Sequence, residues 1–186
     1  MLPTSVPLSE RNLSQMEFWK NANALEKELA FIVMKDFGIK PRMKDANFFS
    51  KTYNMQEEDA AKFNALCEQY KITRVTEDYP TWIMDYHRRR ILELLTSMKE
   101  NIRCANEVYP YYREEYITRR EYQNEAIRCC GKLYDAFTTV KNTLSIDPDK
   151  YMDVVEKIER ERALLKGWRK SDNRIMAQIR KREQGK

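Results

Sequence analysis

Glycine and proline are scarce in this chain, with 4 and 6 among 186 residues. The prolines stand at 3, 7, 41, 80, 110 and 148, so after Pro41 only widely spaced boundaries interrupt the sequence. Long stretches free of both residues favour helix and argue against a turn-rich β architecture. Histidine occurs once, at His87. A ferritin-like di-iron centre needs two Glu-x-x-His motifs on facing helices, and one histidine cannot supply them. A His-based hydrolase would need a nucleophile and an orienting acid that the sequence does not place beside His87, which reads as an exposed or half-buried side chain. There is no P-loop, no glycine-rich phosphate cradle and no GxSxG elbow. Cys67, Cys104, Cys129 and Cys130 form no CxxC pair, and Cys67, Cys104 and Cys130 lie on apolar stripes. They read as small buried hydrophobes in a reducing compartment rather than as metal or redox ligands. No apolar run reaches the ~20 residues of a membrane span. Met1 to Glu10 lacks a basic segment followed by an apolar one, so no secretory signal is expected. These absences predict a cytoplasmic, non-enzymatic protein with no cofactor, no metal and no membrane partner.

Charge is abundant, at 34% of residues, with a net +5. It is unevenly spread. Residues 1–80 hold 11 Lys/Arg against 12 Asp/Glu, or −1, and residues 81–186 hold 23 against 17, or +6. The length fits one domain with a smaller appendage and suffices for a core without disulfides or metal.

Apolar periodicity predicts an all-α fold. A first helix is expected over about Asn12–Phe37, with Trp19, Ala22, Leu25, Leu29, Ile32 and Val33 on one face. Gly38 suits its C′ position and Pro41 blocks continuation. Residues 39–53 form a connector whose Phe48, Phe49 and Tyr53 are expected to fold back onto the body. Asn54 with Glu57 resembles a capping box for a short helix carrying Ala61, Leu66, Cys67 and Tyr70. A second connector contains the β-like stretch 72–75.

Three long helices follow. Pro80 suits the first turn of one ending before Pro110. Its seam, Ile91, Leu95, Met98, Ile102, Ala105 and Tyr109, is spaced 4-3-4-3-4, a heptad pattern. The next, from about Tyr112 to Leu144, repeats that spacing in Ala126, Cys130, Leu133, Phe137, Val140 and Leu144. The last opens at Asp147-Pro148, read as cap and first helical residue. Its seam holds Val154, Ile158, Leu165, Trp168, Ile175 and Ile179, interrupted by Glu161 and Asp172. Short loops force antiparallel neighbours. The expected architecture is an antiparallel four-helix bundle of long helices, with an extra short helix and connectors in the N-terminal part. Its divisions are a tail at 1–11, an N-terminal helical region at 12–78, a core bundle at 79–183 and a tail at 184–186. Apolar positions on both sides of the long helices predict a homo-oligomer. Arg88, Glu161 and Asp172 fall where the heptad expects apolar residues. Either an Arg–carboxylate contact between facing helices fixes register there, or the helices diverge and the charges are solvated.

Three basic segments are candidate nucleic-acid contacts. The first is Tyr86-His87-Arg88-Arg89-Arg90. The second is Arg113, Arg119 and Arg120, with Tyr112, Tyr116 and Tyr122 interleaved and Arg128 nearby. The third comprises Lys166, Arg169, Lys170, Arg174, Arg180, Lys181 and Arg182. Between 166 and 186 eight basic residues face two acidic ones. Arginine pairs bidentately with phosphate, and aromatics stack on unpaired bases. Against this, basic residues near a helix C-terminus complement its macrodipole without any partner. That accounts for Arg180 to Arg182 but not for Arg88 to Arg90, which lie near a helix N-terminus.

The run RRRILELLTSMKENIRCANEVYP from Arg88 to Pro110, the run Arg119 to Ala126, and ERERALLKGWRKSDNRI from Glu159 to Ile175 resemble the accessory variability determinant proteins of diversity-generating retroelements. The resemblance covers roughly residues 80–182, and the first 80 lie outside it, since family members are usually shorter. It implies a basic four-helix bundle that assembles as a homopentamer. It further implies binding to a reverse transcriptase and to its template RNA, or the RNA's hybrid with cDNA, in support of mutagenic cDNA synthesis. The alternative reading is a protein-only helical scaffold or adaptor in a phage or bacterial assembly. A small subunit of a nucleic-acid-guided effector is a third.

Overall fold

The computed structural model describes residues 12–38, 56–70, 81–144, 146 and 148–185. Among the described residues the secondary structure is all helical, with no strand. The α-helices are α1 (Glu17–Met34), α2 (Glu57–Gln69), α3 (Thr81–Glu107), α4 (Arg113–Leu144), α5 (Met152–Ser171) and α6 (Asn173–Gln184). Short 3-10 turns at Leu13–Gln15, Asp36–Gly38 and Pro148–Tyr151 complete the set. No described helix is long and apolar enough to cross a membrane.

The four longest helices pack in a ring: α1 against α3, α3 against α4, α4 against α5, and α5 against α1. Each pair runs antiparallel, as paired residues show. Between α3 and α4, Ser97 meets Cys129 while Ala105 meets Arg119. Between α4 and α5, Asn124 meets Arg169, and Phe137 lies against Tyr151 just before α5. Between α5 and α1, Arg160 pairs with Glu17 at 2.6 Å and Lys157 with Glu28. Between α1 and α3, Lys99 pairs with Glu26, and Phe37 contacts His87 edge-on. The connection from α3 to α4 spans only residues 108–112, which forces the chain straight back.

The heptad seams form the centre of this ring. Ile91, Leu95, Met98, Ile102 and Ala105 of α3 are buried, as are all six seam residues of α4. From α1, Ala22, Leu25, Leu29 and Val33 join them; from α5, Val154, Ile158 and Leu165. Tyr109 departs from the expected seam because α3 ends at Glu107, leaving its ring exposed.

Several local expectations need correction. The first helix is shorter than the 12–37 expected. It ends at Met34, and Phe37, not only Gly38, takes the left-handed conformation (φ 56°). A non-glycine residue holds that conformation only where its surroundings impose it. Here the Phe37 ring is buried and its carbonyl accepts a hydrogen bond from the Tyr151 hydroxyl. The last helix does not start at Asp147-Pro148: Pro148 opens a 3-10 turn, and α5 begins at Met152. It also breaks at Asp172, giving α6. The short helix begins at Glu57 with Gln56 at its N-cap position, and Asn54 of the expected capping box lies outside the described residues. Of Ala61, Leu66, Cys67 and Tyr70 on α2, only Cys67 is buried. The connector aromatics Phe48, Phe49 and Tyr53, the β-like stretch 72–75, Pro80 and Asp147 lie outside the described residues.

Candidate nucleic-acid interface

The thirteen basic residues singled out in the sequence separate into two groups. Five are engaged within the protein. Arg119 is the most deeply committed, with its side chain only 12% exposed. Its Nε donates to Asp172 Oδ2 at 2.6 Å, and its Nη1 donates to the carbonyls of Ala105 and Val108 at 2.9 and 3.1 Å. Its guanidinium lies over the Trp168 ring, whose other contact is a stack with Phe18 at 4.5 Å between centroids. Gln123 adds a hydrogen bond to the same Asp172 oxygen at 2.8 Å. One arginine thus joins the C-terminal carbonyls of α3, the body of α4 and the α5–α6 junction. Arg120 donates to the Arg169 carbonyl and lies over Tyr116. Arg169 donates to Asn124 Oδ1 at 2.7 Å. Arg182 donates to the Tyr111 carbonyl and covers the Tyr111 ring at 4.6 Å. Arg88 pairs with Asp85 on its own helix at 2.8 Å.

These contacts decide the question of the polar seam residues. Arg88 pairs with Asp85 of its own helix, and Glu161 is held by Asn21 Nδ2 at 2.7 Å. The Arg–carboxylate link between helices exists, but it joins Arg119 to Asp172. The alternative of solvated charges fails for Glu161 and Asp172, which are both buried. Glu161 has one oxygen with no partner, and burial pushes its carboxyl up to about 8, against a smaller opposing effect from the Asn21 hydrogen bond. Near pH 7 it is therefore mostly neutral, the state that a low-dielectric core permits.

The other eight basic residues, Arg89, Arg90, Arg113, Lys166, Lys170, Arg174, Arg180 and Lys181, are exposed. Lys166, Lys170, Arg174 and Lys181 recur at intervals of four, four and seven, so they line one face of α5 and α6. The two helices are separated by the single residue Asp172, whose backbone stays in the right-handed region, so the cations follow one another along the α5–α6 surface. At 1.5 Å per residue the stripe runs for roughly 22 Å. Arg180 lies on the next strip of α6, and Arg113 opens α4.

Of the three interleaved tyrosines, only Tyr112 is exposed. Tyr116 is buried and Tyr122 half-buried. Tyr112 is exposed, together with Tyr109 and Tyr111 at the α3–α4 turn. Glu115 accepts from the Tyr111 and Tyr112 amides at 2.7 and 3.0 Å and so caps the start of α4. No protein-family model, curated protein or solved structure matches the chain. The surface chemistry must therefore carry the functional reading.

Two features depart from the sequence reading. Tyr86 of the first basic segment is joined by Trp82, one turn earlier on α3, which the sequence did not single out; they are 55% and 68% exposed and lead directly to Arg89 and Arg90. Their four-residue spacing was legible, but nothing in the pattern distinguished an exposed aromatic pair from a buried one. His87 is the reverse case. It is buried, not exposed or half-buried, and burial lowers its pKa, so it adds no charge at neutral pH. Met84, His87 and Ile91 continue the inner face at the start of α3, which turns Arg88 outward. Among the described residues no group of three or more His, Cys, Asp and Glu could hold a metal ion. Cys67, Cys129 and Cys130 are buried and Cys104 half-buried, all as free thiols.

Proposed function

We propose that this chain is a non-catalytic accessory subunit that holds template RNA for a reverse transcriptase in a diversity-generating retroelement. In this reading the ring of α1, α3, α4 and α5 is an antiparallel four-helix bundle that works in the cytoplasm as a homo-oligomer, a pentamer by resemblance. The observation that supports RNA binding best is the exposed stripe of Lys166, Lys170, Arg174 and Lys181, none of which pairs with an acid among the described residues. A surface of cations without internal partners can release the counterions of a polyanion, the main source of nucleic-acid affinity. The resemblance supplies the reverse transcriptase and the genetic setting.

Fluorescence anisotropy with single-stranded RNA at several salt concentrations tests this. Wild-type affinity should fall with a log–log slope of about −0.7 for each phosphate neutralised. The variant K166E/K170E/R174E/K181E should bind far more weakly and lose roughly three units of slope if all four residues meet phosphates. Absence of binding by the folded wild type at low salt would overturn the RNA reading.

A second reading, the protein-only scaffold, draws on exposed apolar side chains: Phe31 and Met34 on α1, Leu92 on α3 and Ile117 on α4. It predicts self-association or partner binding that is insensitive to the four charge reversals.

A further inference from the structure

Between α3 and α4 lies an open cleft of about 190 Å³, lined by Tyr86, His87 and Arg90 from α3 and by Lys132, Asp135, Ala136 and Thr139 from α4. It is separate from the α5–α6 stripe. Three observations give it a chemical character. First, Arg90 has no acidic partner among the described residues, and Lys132 shares its ammonium only with Glu125, at 3.2 Å. Second, Trp82 and Tyr86 form an exposed aromatic pair on the same face of α3 as Arg89 and Arg90, with positions 82, 86, 89 and 90 falling within about a quarter turn. Third, Asp135 and Thr139 of α4 are exposed and, with the half-buried Lys132, face Arg90 across the opening, so the cleft walls are polar on both sides, while His87 lies buried beneath them.

The cleft is not uniformly cationic. Asp135 stands on its α4 wall without an ion pair among the described residues. A bare inorganic anion would gain from Arg90 and lose to Asp135. A nucleotide fits both charges: its phosphate meets Arg90 and Lys132, while the donor edge of its base meets the carboxylate. Carboxylates accept from exocyclic amino groups of bases. The aromatic pair supplies what a single strand offers and a duplex hides, since exposed rings stack on unpaired bases.

We propose that the α3–α4 cleft binds one nucleotide of single-stranded RNA, with its phosphate on Arg90 and Lys132, its base against Tyr86 and Asp135, and a neighbouring base stacked on Trp82. The proposal rests on the RNA-binding reading above and names the form of RNA: unpaired and held by stacking, not a duplex read by its shape. It also divides the labour between two surfaces. The α5–α6 stripe contributes salt-sensitive attraction, and the cleft contributes contacts that discriminate single from double strands.

The test is anisotropy with a fluorescein-labelled unstructured RNA and a hairpin duplex of equal length, on full-length wild type, W82A/Y86A, R90E and D135N. Stacking on two aromatics predicts a loss in single-strand affinity from about fivefold to over a hundredfold for W82A/Y86A, with little change on the duplex. R90E should weaken single-strand binding and flatten its salt slope by about 0.7. D135N should leave overall affinity within about twofold while narrowing the difference between cytosine-rich and uracil-rich strands. Circular dichroism melting controls for folding, which the exposed positions 82, 86, 90 and 135 should leave intact. If wild type binds RNA and the stripe variant does not, while W82A/Y86A and R90E bind like wild type, the cleft proposal fails and the RNA reading stands. If a protein competes for the cleft and RNA does not bind wild type at all, both fail.

Discussion

Replacing Asp172 with alanine removes the acceptor that ties two α4 side chains to the α5–α6 junction. Its Oδ2 receives Arg119 Nε at 2.6 Å and Gln123 Nε2 at 2.8 Å, in a site where the two charged side chains are 12% and 7% exposed. Breaking a buried ion pair from one side costs about 3–5 kcal/mol, because the other charge stays buried without compensation. Here the compensation is partial: Arg119 keeps the Ala105 and Val108 carbonyls. Gln123, by contrast, loses its only recorded partner, since its Oε1 already has none. These considerations place D172A near the lower end, at about 3 kcal/mol. For a domain of this size, each kcal/mol moves the melting temperature by roughly 2–4 °C, so a drop of about 6–12 °C is expected. D172N retains an acceptor oxygen but loses the counter-charge of Arg119, so it should cost less than D172A, at about 1.5–2.5 kcal/mol, the scale of a hydrogen bond to a charged group. Urea titration followed by far-UV circular dichroism measures both. A double-mutant cycle with R119A should return a coupling of at least about 1 kcal/mol. RNA affinity of folded D172A should match wild type, because Asp172 and Arg119 serve the fold. A loss below about 1 kcal/mol, or strict additivity with R119A, would refute the reasoning.

Stability should also depend on pH through Glu161. Its folded pKa, about 8, lies above the ordinary carboxylate value, so the folded state binds more protons between those limits. Its contribution is full below about pH 4.5 and is lost as pH rises through 8, at up to about 1.4 kcal/mol per unit; E161Q should remove this slope from urea titrations at pH 5, 6.5 and 8, and an unchanged slope would show that Glu161 ionises freely. Burial raises the pKa of both the Cys129 and Cys130 thiols. Iodoacetamide at pH 8 followed by peptide mass mapping should therefore find both unlabelled in the native protein and labelled in urea, and stoichiometric native labelling would contradict the packing. Trp168 is stacked by Phe18 and covered by Arg119. W168A should cost about 3–5 kcal/mol in thermal or urea unfolding, and a loss under about 1 kcal/mol would mean that the stack is not formed in solution.

The long helices were legible in the sequence because apolar side chains repeated every seven residues for three or more turns, and such a run has one way to bury itself. Ala126 to Leu144 of α4 entered the core without exception. Ends were less legible. Pro148 has the right preference for a first helical residue, yet the turn it opens is 3-10 because Tyr151 is drawn inward to the Phe37 carbonyl, a contact 114 residues away in sequence. The surroundings of the basic residues were the least legible, and for a definite reason. Arg119, Arg120, Arg169 and Arg182 engage groups within the protein, and composition cannot tell an arginine that faces solvent from one that faces backbone carbonyls.

Register can tell them apart. The α4 seam of 126, 130, 133, 137, 140 and 144 extends backward by the same rule to 123 and 119. Gln123 and Arg119 are therefore seam residues, and both turn inward. The α5 seam extends forward from Leu165 to Trp168 and Asp172, the two groups that Arg119 meets. Both helices change from apolar to polar at the same level of the ring, so the polar residues satisfy one another. Lys166, Lys170, Arg174 and Lys181 lie on the opposite phase of that repeat and are exposed among the described residues. The rule slips at the start of α3: three residues before Ile91 it points to Arg88, but the inner face there runs 84, 87, 91, so the imidazole is buried and Arg88 is half-buried. A basic residue on a seam phase holds helices together, and one off the seam remains available to a polyanion. Charge therefore becomes evidence for a partner only after the seam arginines have been set aside.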